Sequence, residues 1–524
     1  MKLRKSRVAL VLFLIFAIIF TIFKVKTKNE KKQNENITSN KQVAYDDNIK
    51  IGISNLDTIN PLKTKNKQMI NLNQLIYEPL FTLDANYKLV PCLATEYAKT
   101  SSTTYVIKIN NNIKWSNNTN ISANDVKYTI ELLKNTDGIY SENIKKIENA
   151  EVIDDTTLKI NLTEETYLFE YNLIFPIMCQ NYYASEDFFS SEKNAIGTGK
   201  YKISSYSGNQ LILEKNENYR DQESVNKNIQ KIYVNIYSEV GEVYNAFKIG
   251  GVDVIATSSS EYEKYIGTIG YNVKEYRGRE YDFLSCNCND SIMKEKNVRK
   301  AIALAIDKEN IVSTIYNNKY FTSNYPLDYG NYVYEDTNSN IGYNQEKAKQ
   351  TLKDAGWVYS KNRWRKNGKI LTVTISTNSS NKKRCQVAQN IKEQLEAIGI
   401  QASVKEVSDA QYNAYLTNKN YQILLTGVYN SFSPDLTYFY GTNNIANYSN
   451  DEVKTIMKDI NNITDYKLLL EKYKSLIEIT KEDSAYISLY RNKNFLLINQ
   501  KIVGNFEPTN YGIYKNFESW NKEK

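Results

Sequence analysis

Side chains that could do covalent chemistry are few in this sequence and badly spaced for it. None of the 524 residues is histidine. That removes Ser-His-Asp hydrolysis, Cys-His proteolysis and every histidine metal site at once. The five cysteines are Cys92, Cys179, Cys286, Cys288 and Cys385. They are scattered, odd in number and too few for a disulfide framework, so buried free thiols are expected. Cys286-Asn287-Cys288 puts two thiols on one face of a strand, too close in sequence for the usual zinc spacing. No Gly-x-Ser-x-Gly nucleophile elbow occurs. Gly197-Thr198-Gly199-Lys200 holds a lone Gly-x-Gly, without the third glycine or Gly-Lys-Ser/Thr of a phosphate loop. No catalytic residue, metal or cofactor is expected. What remains is non-covalent recognition. The 43 tyrosines could supply ring surfaces for it, although a general Lys/Asn/Ile/Tyr bias accounts for them better.

The elements that would position such a site fill a long chain. Its length allows two or three packed units, and a hydrophobic content of 41% supports a sizeable core. The formal net charge of +8 comes mostly from residues 1–32. The rest is near balance, so no nucleic-acid face is indicated. Lys2, Arg4, Lys5 and Arg7 precede an apolar run over residues 8–23, broken only by Thr21. As a helix it spans roughly 24 Å at 1.5 Å per residue, slightly short of a bilayer core. It reads as a secretory signal peptide or an uncleaved anchor. Phe23-Lys24-Val25-Lys26 is a poor cleavage site, and no cysteine stands near for lipid attachment. An uncleaved anchor is therefore favoured, with residues 24–47 as a flexible, Asn-rich stalk.

Folded structure is expected from residue 48, where Ile49, Ile51 and Ile53 alternate along a strand. Tyr105, Ile107 and Ile109 alternate likewise. Asn117-Asn118-Thr119-Asn120 is a turn, because asparagine tolerates the left-handed region. Ser122 and Asp125 then make a capping box for a helix striped by Val126, Ile130 and Leu133. Residues 151–153 and 157–162 form a hairpin around Asp154-Asp155. A short helix is expected over 242–249. Asp307 and Asn344 are N-caps, and Gly356 is a helix terminator. Strands over 371–375 and 402–407 flank a helix striped by Val387, Ile391 and Leu395. That order implies a parallel pair with a right-handed crossover.

Several of these stretches resemble, in order, the extracellular solute-binding proteins of family 5, which serve peptide and nickel importers. The resemblance runs from Thr58-Ile59-Asn60-Pro61 and Tyr77-Glu78-Pro79-Leu80, through residues 105–126 and Gly197-Thr198-Gly199. It continues through Gly250-Gly251-Val252-Asp253, the strand ending at Asn287, Val298-Arg299-Lys300-Ala301 and residues 343–357, to Ile487-Ser488-Leu489-Tyr490. Pro79, Asn110, Asn118 and Lys200 depart from the family pattern. The missing imidazole counts against the nickel branch.

The resemblance implies an α/β, two-lobed periplasmic-binding-protein-like (type II) fold with an inserted subdomain, after an N-terminal membrane helix. Lobe I would combine residues 48–91, 197–276 and 490–524. Residues 92–196 would be the insertion and 277–489 lobe II. The implied protein is a monomeric, non-enzymatic substrate-binding component of an ABC importer, held at the outer face of a bacterial membrane with a Gram-positive-type envelope. It would capture a peptide by lobe closure and deliver it to permease and ATPase subunits. A peptide-signal receptor using a shared importer is the alternative. Peptide binders of the family carry Trp-x-x-Asp-Tyr-x-x-Pro, whose Asp neutralises the ligand's free amine. Aligned on Pro434, those positions are Gly427, Asn430 and Ser431, so the ion pair is lost unless Asp435 takes its place. The implied ligand-facing set is Tyr429, Asn430, Phe432 and Asp435, with Asn60, Glu78, Arg279 and Tyr281.

Overall fold

The alternating isoleucines of the first expected strand are all fully buried in β1 (Asn48–Ser54). The computed structural model describes residues 44–524 except 185–194, 259, 269, 328–329, 335–340 and 464. The expected anchor and nearly all of the stalk lie outside the described residues. No described helix is long and apolar enough to cross a membrane.

After β1 come α1 (Lys67–Ile76), the short hairpin β2 (Phe81–Leu83) and β3 (Leu89–Pro91), then β4 (Ala94–Ser101) and β5 (Thr104–Ile109). Next are α2 (Ala123–Lys134), β6 (Ile147–Asp154) and β7 (Thr157–Leu162). β4 to β7 form a separate four-stranded sheet in the order β4-β5-β7-β6. The capping box of α2 is present: Ser122 N donates to Asp125 Oδ2 at 2.7 Å. Asn118 takes the expected positive φ of 71°.

The chain then enters β8 (Tyr201–Tyr206), β9 (Gln210–Lys215), β10 (Lys231–Tyr237), α3 (Val240–Lys248), β11 (Val254–Thr257) and the long β12 (Tyr271–Cys286). α3 starts two residues before the expected 242, because Glu239 and Glu242 supply its capping box. α4 (Lys296–Ala305), β13 (Tyr320–Thr322), α5 (Gln345–Asp354), β14 (Thr372–Asn378), α6 (Lys382–Ala397), β15 (Gln401–Val407) and β16 (Ile423–Tyr429) follow. α7 (Asp451–Ile460), α8 (Tyr466–Asp483) and the long β17 (Tyr486–Asn499) complete the framework.

One eleven-stranded sheet runs β15-β14-β16-β12-β17-β11-β1-β10-β9-β8, with β13 also on β17. β14 and β15 are parallel, as their β-α-β order requires. β12 and β17 stand in the middle and run through both halves of the sheet. Alternation along β12 serves two cores. Tyr281 and Phe283 face a cluster with α7 and α8, while Leu284 and Cys286 face one with α4 and α6. Along β17, Leu496 and Ile498 join the large core beneath β1 and α1. The five cysteines are unpaired; Cys179, Cys286 and Cys385 are buried and Cys92 and Cys288 half-buried.

Candidate functional site

The site lies where β12 and β17 cross the sheet. Their antiparallel register runs from Tyr271↔Asn499 to Arg277↔Lys493, breaks, and resumes at Tyr281↔Arg491. Gly278, Arg279 and Glu280 therefore stand opposite Asn492 alone, a bulge that re-aims one side chain. Asn492 fills the bulge, its Oδ1 accepting from Glu280 N at 3.1 Å. A Cβ on Gly278 would come within 1.9 Å of that oxygen, so any larger residue must displace the Asn492 side chain.

The re-aimed residue is Arg279. Its guanidinium packs over the rings of Tyr429 at 4.4 Å and Phe432 at 4.0 Å. Its Nε donates to Asn430 O, and Asn430 N returns a bond to Arg279 O at 2.9 Å. Stacking and hydrogen bonding fix a planar cation whose fork suits a carboxylate or phosphate.

Arg279, Tyr429 and Phe432 line a cavity of about 880 Å³. Lys67, Asn71 and Gln74 of α1 also line it, and Tyr140 and Tyr511 add ring surfaces. Burial raises both of these phenols, so both stay protonated. The charged lining residues are Lys65, Lys67 and Arg279 against Glu142, a balance that favours an anionic group. Lys65 pairs with Asp137 at 2.8 Å and Lys67 with Glu280 at 3.7 Å, both exposed pairs of little worth.

An adjoining cavity of about 580 Å³ shares Arg279, Tyr429 and Phe432 and adds Asn430, Asp435 and Arg491. Asn430 Nδ2 donates to Pro326 O. Asp435 Oδ1 accepts from Thr437 N at 2.8 Å and Thr437 Oγ1 at 2.5 Å. Burial raises its carboxyl pKa despite those bonds.

Three other expected residues face protein. Asn60 is buried, and its Oδ1 accepts from Leu62 N at 2.9 Å inside a turn. Glu78 pairs with Arg220 at 2.5 Å beside Cys92. Tyr281 is fully buried, its hydroxyl 2.6 Å from Ser488 Oγ and its ring under the Arg491 guanidinium. None of the three lines either cavity. Sequence reasoning missed α1. Its Lys67, Asn71 and Gln74 stripe is indistinguishable from a solvated helix face until the cavity is seen.

Among the described residues, no group of three His, Cys, Asp or Glu could hold a metal ion. A cavity enclosed where long strands cross a mixed sheet, with stacked rings, amides and a fixed guanidinium, defines a two-lobed binding protein of the periplasmic type.

The family follows from comparison. Residues 88–450 match the model of bacterial extracellular solute-binding proteins, family 5, and the chain belongs to that family. It is 24% identical to the oligopeptide-binding protein AppA of Bacillus subtilis (strain 168), over 79% of this chain and 80% of that protein. Among solved structures, it matches the murein tripeptide-binding protein MppA in its unliganded open form with a TM-score of 0.79. That match has 16% identity and covers 92% of this chain and 98% of that one. The nickel ABC transporter of Bacillus halodurans matches with a TM-score of 0.76 and 20% identity, over 91% of this chain and all of that one.

Proposed function

We propose that this protein captures peptides outside the cell and delivers them to an ABC permease. The observation that carries the reading is the Arg279 guanidinium, stacked between Tyr429 and Phe432 where the two cavities meet. It is placed to hold a ligand carboxylate or a carbonyl edge at the strand crossing. The relatives' names point the same way: oligopeptide-binding, dipeptide-binding and murein tripeptide-binding proteins. The nickel reading is weaker here, because the chain has no imidazole to offer.

Of the expected residues, Arg279, Tyr429, Phe432 and Asp435 are assigned to the ligand. With Asn430 committed to Pro326 O, Asp435 is the carboxylate that would meet a free amine. Asn60, Glu78 and Tyr281 are assigned to the fold. The protein acts as a monomer, binds without chemistry, and is held at the membrane by residues 1–23. Residues 277–489 serve as the second lobe and 92–196 as the insertion. No residue singles out the alternative of a peptide-signal receptor, and the relatives lend it no support.

The test is capture from a mixed library of three- to eight-residue peptides, identified by mass spectrometry and confirmed by calorimetry. Bound peptide should be recovered intact, and its affinity should fall at least ~10-fold in Arg279→Ala, the loss of one charge-assisted contact. Hydrolysed peptide, or no retained peptide, sinks the reading.

A further inference from the structure

α1 carries a residue that neither its helix nor its core explains. Asn73 is 3% exposed, and both its Nδ2 and its Oδ1 are buried without a hydrogen-bond partner. Among the described residues it is the only carboxamide with both its nitrogen and its oxygen orphaned. Two other buried asparagines here are saturated. Asn226 Nδ2 donates to Phe517 O and Trp520 O, while its Oδ1 accepts from Asn228 N and Ile229 N. Asn444 spans Gly441 O, Tyr448 O and Tyr448 N in the same way. Asn73's own helix neighbours are also committed: Asn71 Oδ1 accepts from Ile513 N, and Gln74 donates to Tyr511 O.

An orphaned buried carboxamide costs stability, and asparagine is a poor residue for a helix interior. Leucine, of nearly the same shape, would serve helix and core better at this position. Yet Asn73 is among the residues that line the 880 Å³ cavity, as is Arg279. A buried unsatisfied group needs an explanation, and one beside a cavity can find its partner in the ligand.

We infer that Asn73 is a specificity-determining residue. Its carboxamide pairs with an amide-bearing ligand segment through one donated and one accepted hydrogen bond. The chemistry selects the partner. A carboxylate only accepts and an ammonium only donates, so neither satisfies both atoms. The N–H and C=O of one residue in an extended chain point to the same side, as in a hydrogen-bonded β pair, and satisfy both. The inference rests on the peptide reading above and assigns to Asn73 a backbone contact that does not depend on the peptide's side chains.

Full-length wild type, Asn73→Leu and Asn73→Asp are compared in ligand-free melting and in binding of the three- to eight-residue library. Without peptide, Asn73→Leu should melt ~1–3 °C higher, because two buried orphans are gone. Its affinity for the peptides that wild type retains should fall ~10-fold or more, for two lost hydrogen bonds. Asn73→Asp keeps the shape and loses the donor. It should bind weakly with no gain in melting temperature. A lower melting temperature for Asn73→Leu would mean that the carboxamide is paired within the fold, and the inference falls. Equal affinity of Asn73→Leu and wild type for the same peptides also overturns it, with the peptide reading left standing. If wild type retains no peptide, both fall together.

Discussion

Asp435 shows what burial does to a cavity-lining carboxyl before any ligand arrives. Burial raises its carboxyl pKa above the ordinary range. The folded state then holds a proton more tightly than the unfolded chain does. The contribution of Asp435 to stability is fully present below the unfolded pKa of about 4 and is lost as pH rises through the raised folded value. Asp125 and Glu170 are shifted the same way by burial, so they add to the slope. Lys145, Lys146, Glu142, Arg279 and Arg491 line the same cavity as Asp435, and among them Lys146 opposes the shift. Asp435→Asn should flatten part of the decline in melting temperature from pH 4 upward and leave pH 3 unchanged. An unaltered slope would show that Asp435 titrates normally. Residue identity alone could not have ranked Asp435 above Asn430, because Asn430's commitment to Pro326 O depends on a loop more than a hundred positions away. Gly427 makes the same point. A Cβ there would lie 2.0 Å from Asp282 Oδ1 and 2.3 Å from Arg384 Nη2. A bidentate ion pair at 2.7 and 2.8 Å thus fills the space where the family pattern has a tryptophan.

At the scale of elements, local signals were legible and long-range ones were not. The Ser122–Asp125 box, the turn at Asn118, the Asp307 and Asn344 caps and the hairpin of β6 and β7 depend on residues within a few positions of one another. The bulge in β12 depends on Asn492, more than two hundred residues away, and Gly278 alone gives no sign of it. That bulge sets where Arg279 points, so it can be tested directly. Gly278→Ala puts a methyl against Asn492 Oδ1 and should cost about 1–3 kcal/mol of stability by overpacking. It should weaken peptide binding more than Arg279→Lys does, because the whole guanidinium is displaced rather than shortened. Asn492→Ala in the Gly278→Ala background removes the clash and should restore part of the stability, measured by urea unfolding. If the double variant is no more stable than Gly278→Ala, the steric account of the bulge is wrong.

At the scale of the whole molecule, one turn touches residues far along the chain. The turn between β2 and β3 carries Asn86, Tyr87 and Lys88 against residues from the far side of the chain. Tyr332 N donates to Asn86 O at 2.9 Å, Tyr87 packs on Phe432 with ring centroids 5.7 Å apart, and Lys88 lies over the Tyr466 ring at 4.7 Å. Tyr87 holds a positive φ of 59° to do so, a conformation that favours glycine or asparagine. Asn461 and Lys99 both bond Glu165 at 3.0 Å and add a polar tie. Individual contacts of this kind bias an open-closed equilibrium by a small free energy. Tyr87→Gly with Lys88→Ser removes the ring and the cation while leaving the turn its conformation. In the absence of peptide, this variant should have a larger radius of gyration in solution scattering than wild type. Saturating peptide should bring both to the same compact value, because the ligand then supplies the closing contacts. The variant's affinity should fall by the share of closure that the turn supplied, about 3- to 10-fold if the two contacts are worth about 1 kcal/mol together. Identical scattering from the two ligand-free proteins would mean that the turn has no part in closure.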